Sequence, residues 1–512
     1  MKKMISRMVS HRSIPYVMAF LMPFIICVVI CIGNGVYPFG DNCILHIDMY
    51  HQYCPFFTEL MDKIKHGGSM FYSWNIGLGA DFISLYAYYL ASPLNWLLLL
   101  CPQNHVIEFM TLLVILKISL AGLFFGYYLK EHFEKNHAAI SIFATAYALC
   151  GFSAAYAWDI MWLDCMMLAP LVVLGLEQLI KEKKVLLYYI SLSLCIISNY
   201  YIAIMVCIFQ VIWFVITWLE NKETGIGAWI RFALYSLLAG GTGAILIIPE
   251  AITLGASGSQ NISFPDTMEW YFNIIAELGR HSVMTEPYTG KDHWPNIYCG
   301  VAVFLFFLLY LACKKISVKE KAVYCGLLLL FFASFSMNVL NFIWHGFHYP
   351  NSLPCRQSFI YIALVLTMCF RAYLYLDEIS KRQFAGVTFA AIGYVILAEK
   401  LVTQEHFHFI VYYVAIIFLA AYAGLMYLYK DGKRTVCGFL ALTLVAIEAS
   451  INMSVTSVTT TSRESYTSDN EEVRILKDSL QPASDFYRVE KKTRKTKNDG
   501  AWINFPSVTL FS

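Results

Sequence analysis

Long apolar stretches alternate with short polar ones along this chain, and that pattern limits the fold more than any motif does. About thirteen such stretches recur, near 13–33, 106–129, 137–157, 161–180, 185–199, 200–219, 232–254, 297–313, 322–340, 357–376, 384–401, 408–429 and 435–453. Apart from the short 185–199 segment, each has roughly the length a helix needs to cross the hydrocarbon core of a bilayer. Inside lipid every backbone N–H and C=O must be bonded within the protein, so these segments are expected to be helical. Only 14% of the 512 residues are charged and the mean hydropathy is +0.58, whereas soluble domains carry about a quarter charged residues. The sequence therefore predicts an all-α polytopic membrane protein and excludes a soluble enzyme. The basic start MKKMISRMVSHRS leads into an apolar run without a small-residue cleavage site, which reads as an uncleaved first span.

The placement of charge orients the helices. With the N-terminus inside, the inner connections hold Lys130 and Lys135, then Lys181, Lys183 and Lys184, then Lys222 and Arg231. Further along come Lys314, Lys315, Lys319 and Lys321, then Lys381 and Arg382, then Lys430, Lys433 and Arg434. The short opposite connections are almost free of Lys and Arg, as the positive-inside rule requires. Two outer connections are long, about 34–104 and 255–296. After residue 453 the chain turns Ser/Thr-rich, SVTSVTTTSRESYTSDNEE. The expected division is a membrane domain over 1–453 and, over 454–512, a linker with the beginning of an extracytoplasmic domain, in a chain that is the front part of a longer protein.

Cysteine offers little chemistry. The fifteen cysteines lie mostly inside apolar runs with no CxxC pair, and they read as small hydrophobes. Cys43, Cys54, Cys299 and Cys355 fall in or near loops without a pattern that pairs them.

The first long loop is the richest segment. Asp41 and Asp48 lie close to the end of the first span, with His46, His51, Gln52 and Tyr53 around Asp48. From Gln52 to Lys65 the spacing predicts an amphipathic helix lying in the interface. The nearly apolar run 82–100 contains Pro93, and counting it as a span would break the charge alternation, so it is expected to be interfacial or re-entrant. Asp48 is open to two readings from pattern alone. It is either an N-cap of the following helix or a partly desolvated general base for a hydroxyl acceptor; Asp41 is open to the same pair of readings. A metal site at His46 and His51 rests on two imidazoles five residues apart, and no DxD pair accompanies them, so no metal or other cofactor is expected. The glycines of NIGLGAD lack the strand and helix of a phosphate loop.

Other carboxylates and cations sit at the same expected face. AWDIMWLDCMM places Asp159 and Asp164 between tryptophans, with Asp164 entering a span, where an ionisable group needs a partner or water. Asn199, Tyr200, Tyr201 and Glu250 also fall near outer helix ends. In NFIWHGFHYPNSLPCRQSF, Arg356 is a lone cation beside His345 and His348, and its planar donors suit a phosphate or pyrophosphate.

Several blocks together resemble the YfhO family of bacterial membrane proteins: DMYHQYCPFF, FYSWNIGLGAD, YYLASPLNWL, WDIMWLDCMMLAPLVVLGLEQL, ISNYYIAIMVCIF and WHGFHYPNSLPCRQSF. The resemblance covers nearly the whole chain. It implies a GT-C type glycosyltransferase fold, a polyprenyl-phosphate sugar donor and action on the outer face. The acceptor it implies is a cell-envelope glycopolymer, teichoic acid or a related glycan. It also implies a catalytic carboxylate in the first outer loop, which maps to Asp48; from the residues themselves Asp41, Asp164 and His345 are the secondary candidates, and Arg356 is expected on the donor phosphate. Membrane lipids are the other expected partners, and nucleic acid is not one. The rival readings are an exporter or flippase of envelope polymer precursors, and a non-catalytic assembly factor.

Overall fold

The computed structural model describes residues 13–221, 225–256, 263–290, 293–350, 352–402, 408–480 and 486–508. Helix α1 spans Ile14–Gly33, and α2, Cys54–His66, ends where Gly67 takes a left-handed φ of 82°. The helices α3 (Val106–Phe133), α4 (Ile140–Ala148), α5 (Gly151–Tyr156) and α6 (Trp162–Lys181) follow. Next come α7 (Leu186–Ser198), α8 (Tyr200–Glu220) and α9 (Gly225–Ala256). The second half holds α10 (Val303–Ala312), α11 (Val318–Ser336), α12 (Ser358–Leu374), α13 (Lys381–Leu401), α14 (Phe409–Lys430) and α15 (Arg434–Thr456).

Each expected stretch thus contains a helix, and the helices differ in length. Among the described residues eight are long and apolar enough to cross a bilayer by themselves: α1, α3, α6, α8, α9, α13, α14 and α15. The stretch over 137–157 divides into α4 and α5 because the chain straightens at Cys150. There Gly151 donates its N–H to Tyr298 O at 2.6 Å. A side chain at 151 would sit 2.9 Å from Asn296 C and Tyr298 N, so the approach needs glycine. A similar contact holds α7 on α6, where a Cβ at Gly175 would meet Tyr188 N at 2.4 Å.

The run 82–100 is broken as Pro93 predicts. Helical turns over Phe82–Leu90 and Pro93–Leu100 meet at a bend of 101°. Buried polar groups pin the bend: Asn95 Nδ2 donates to Leu90 O, Asn199 Nδ2 to Tyr88 O, and Ser92 Oγ to Asp164 at 2.6 Å.

Helix α2 departs from the interfacial expectation. Residues Cys54–Met61 are all buried, including Thr58 and Glu59. The face expected to meet water is covered by the chain's own C-terminal part. Strand β1 (Asn42–Cys43) pairs antiparallel with β4 (Thr461–Ser462), while β2 (Tyr72–Ser73) pairs with β3 (Ala80–Asp81). Helix α16 (Arg463–Thr467), α17 (Asn470–Asp478) and α18 (Asp499–Ile503) then lie over the first loop. Asn504 Nδ2 reaches Glu59, whose carboxylate also accepts from Ser73 and Asn75. The C-terminal segment, expected as a linker and the start of a further domain, is where described a roof over residues 41–79.

Candidate active site

The π-helical turn Met49–Tyr53 follows Asp48 and joins α2; such turns are frequent at functional sites. Asp48 stands at the N-cap position but makes no side-chain capping bond, so the capping reading does not describe it. The residue before it, Ile47, is held at φ 47°, a left-handed conformation that strains a β-branched residue. Asp48 is half-buried. Burial raises its carboxyl above the usual range, while His51 and Lys497 draw it back down.

Asp159, in the turn between α5 and α6, is the carboxylate the sequence left without a role. It is 1% exposed, and its Oδ1 accepts from Tyr53 OH at 2.7 Å. Its Oδ2 is buried and, among the described residues, makes no hydrogen bond. Burial pushes its pKa up to about 8, against the pull of Tyr53 and Arg356, and the Asp48 charge adds to the rise. The signal was in the sequence, a carboxylate in a five-residue turn between two tryptophans. Its partner, 106 positions away, was not.

Arg356 completes the cluster. Its guanidinium packs over the rings of Trp162 at 4.7 Å and Tyr201 at 5.0 Å. Nε donates to Leu353 O at 2.9 Å and Nη2 to Ser352 O at 3.2 Å, which fixes the plane. Tyr201, Tyr88 and Asp159 hold its pKa above the usual value. Among the described residues it forms no ion pair, so its charge is directed at the site without a carboxylate bound to it. A wall of aromatic rings runs on from Asp159 through Tyr53, Tyr89 and Tyr88 to Tyr200, with centroids 4.7–6.0 Å apart. It ends at Glu250, which accepts from Tyr200 OH at 2.7 Å.

Three expected candidates are occupied elsewhere. Asp41 accepts from Ser462 Oγ and from the Glu464 N–H, so it tethers the C-terminal roof. Asp164 is fully buried and paired with Lys117 at 2.5 Å; a carboxylate held that way inside a bundle neutralises a cation. His345 is buried, and burial together with Arg356 lowers its pKa to about 3, so it is neutral. Its Nδ1 faces Asn341 O at 2.8 Å, and a carbonyl can only accept. The proton therefore sits on Nδ1, leaving Nε2 a bare acceptor that cannot hold a phosphate. His46 bonds to Ile44 O and packs on Trp158, and among the described residues no three His, Cys, Asp or Glu side chains converge.

Helices of this length and apolarity, carrying a buried carboxylate–guanidinium cluster at one end, define an all-α multi-pass membrane protein with an enclosed ionisable site. The family model described as bacterial membrane protein YfhO matches residues 18–512, and the chain belongs to that family. It is 25% identical over 425 residues to the uncharacterized protein YfhO of Bacillus subtilis (strain 168). That match covers 75% of this chain and 44% of the relative, so the chain spans less than half of the relative's length. Among solved structures it is similar to ArnT from Cupriavidus metallidurans bound to undecaprenyl phosphate. The identity is 13% and the TM-score 0.42, over 95% of this chain and 85% of that one. A likeness at that level is silent on chemistry, which has to come from the chain's own residues.

Proposed function

We propose that the chain is a GT-C type glycosyltransferase, moving a sugar from a polyprenyl-phosphate donor to a hydroxyl of a cell-envelope glycopolymer on the outer face of the membrane. The observation that carries this reading is the convergence of Asp48, Asp159 and Arg356, from three separate loops, at one end of the bundle beside an apolar slot. The slot, a cavity of about 80 Å³, is lined by Cys27, Ile30, Ile118, Met49 and Trp158, with His46 at the Asp48 side. Its mostly apolar walls suit part of an isoprenoid chain.

In this reading Asp48 takes the proton of the acceptor hydroxyl as its oxygen attacks the anomeric carbon. The bond from that carbon to the phosphate oxygen breaks, and the phosphate leaves with its electron pair. Arg356 meets the charge that develops there. Asp159, uncharged at neutral pH, offers an O–H donor to the departing phosphate or to a sugar oxygen. The tyrosine wall gives the sugar a semi-polar face, and the buried setting keeps water from competing as acceptor.

The experiment is transfer by the purified protein from a polyprenyl-phosphate sugar to a hydroxyl acceptor. A positioned general base contributes about 10²–10⁴-fold, so Asp48→Asn is expected to lower transfer by that order while the protein still inserts. Retention of more than about a tenth of wild-type transfer would remove Asp48 from the role. Vesicle flux without transfer would mark a carrier instead.

A further inference from the structure

Pro55 leaves the turn behind Asp48 incomplete. Residue 55 is fifth after Tyr50 and fourth after His51, the positions from which π- and α-turns draw their hydrogens. Proline has no N–H to give. The Cys54 N–H, the other helical donor in reach of Tyr50, is committed to Met49 O. Two side chains of the C-terminal roof answer these carbonyls. Tyr466 OH donates to Tyr50 O at 2.9 Å, and Asn498 Nδ2 donates to His51 O at 2.9 Å.

Both donors are fully buried and held in place. The Tyr466 ring packs on Tyr50 at 4.5 Å and on Trp502 at 5.0 Å. The Asn498 N–H bonds to Thr496 Oγ1, and Asp499 accepts from the Thr496 and Lys495 N–H groups. At Gly500 a Cβ would lie 2.5 Å from Asn75 O, so α18 meets the first loop backbone to backbone. Lys497, next to Asn498, brings its ammonium within electrostatic reach of Asp48 and His51.

We propose that Tyr466 and Asn498 are positioning residues for Asp48. The C-terminal segment then completes the reacting turn and is part of the active site. This rests on Asp48 being the base. The groups facing Asp48 are His51 from its own turn, Lys497 from the roof, Asp159 from the α5–α6 turn and Tyr89 from the broken helix.

The test uses the full chain reconstituted in vesicles. Tyr466→Phe and Asn498→Ala are each expected to speed amide exchange over residues 49–54 by about tenfold or more. Each should lower kcat by tenfold to about 100-fold, since small displacements of a reacting group cost that much. The donor KM should stay within about twofold. Unchanged exchange in both variants overturns the positioning role, as does faster exchange with kcat unchanged. Amide exchange does not depend on which carboxylate is the base. Faster exchange in a protein whose Asp48→Asn variant still transfers sugar would therefore sink the Asp48 assignment while leaving the roof's hold on the turn intact.

Discussion

Two carboxylates within electrostatic reach of each other but far apart in sequence have different surroundings, and this is what separates their roles. Asp48 is half-buried with His51 and Lys497 in electrostatic reach, whereas the Asp159 side chain is enclosed and, among the described residues, bonded to Tyr53 alone. When environments push two acids to different pKa values, the lower one serves as base and the higher one as acid. The expected kcat/KM profile is therefore bell-shaped, with the acidic limb from Asp48 and the alkaline limb near pH 8 from Asp159. The sign follows from the raised value: Asp159 is protonated below about 8, and its donor is lost as pH rises through it. Asp159→Asn keeps an acceptor for Tyr53 and a permanent N–H donor. It should retain transfer at pH 7 within about tenfold of wild type and lose the alkaline limb. An unchanged alkaline limb in that variant would show that another group titrates there. Asp48 was legible as a candidate from its loop and its family resemblance, and Asp159 was visible but unranked. Composition does not report which carboxylate is dry.

At the scale of elements, helices α3 and α6 are locked by Lys117 and Asp164, both with no exposure. Lys117 also donates to Ile160 O at 3.0 Å, and Ser92 of the broken helix donates to Asp164. The pair therefore joins two spans and the bend at 82–100. Removing one partner of a buried pair strands the other, at a cost of about 3–5 kcal/mol, while replacing both with apolar groups is often close to neutral. Lys117→Met alone should lower Tm sharply in a thermal melt, and Lys117→Met with Asp164→Leu should regain most of it. A double variant as unstable as the single would mean that the pair does more than neutralise charge. The break at Pro93 was readable because proline cannot continue a helix. The 101° angle was not, since it is set by partners on α6 and at the α7–α8 junction.

For the whole molecule, the alternation of lysine-rich and lysine-poor connections proposes that Lys183 and Lys433 face the cytoplasm and the roof faces outward. All three test positions are exposed: Ser465 in α16, Lys183 after α6 and Lys433 before α15. A membrane-impermeant thiol reagent applied from outside should label a cysteine introduced at Ser465 and spare those at Lys183 and Lys433. Labelling at Lys183 would invert the arrangement. Class, approximate helix positions, the Pro93 break and family membership were all determined by the sequence alone. Hydropathy, charge sign and proline are local properties that act where they stand, so they can be read along the chain. The tertiary structure decided that α2 is roofed by the described residues of the C-terminal segment, and that Asp159 and Arg356 share a site with Asp48. These depend on contacts between segments hundreds of residues apart, as between Asn498 and His51, 447 positions away. Desolvation, which turns an ordinary aspartate into an acid with a pKa of about 8, exists only once those segments have closed over it.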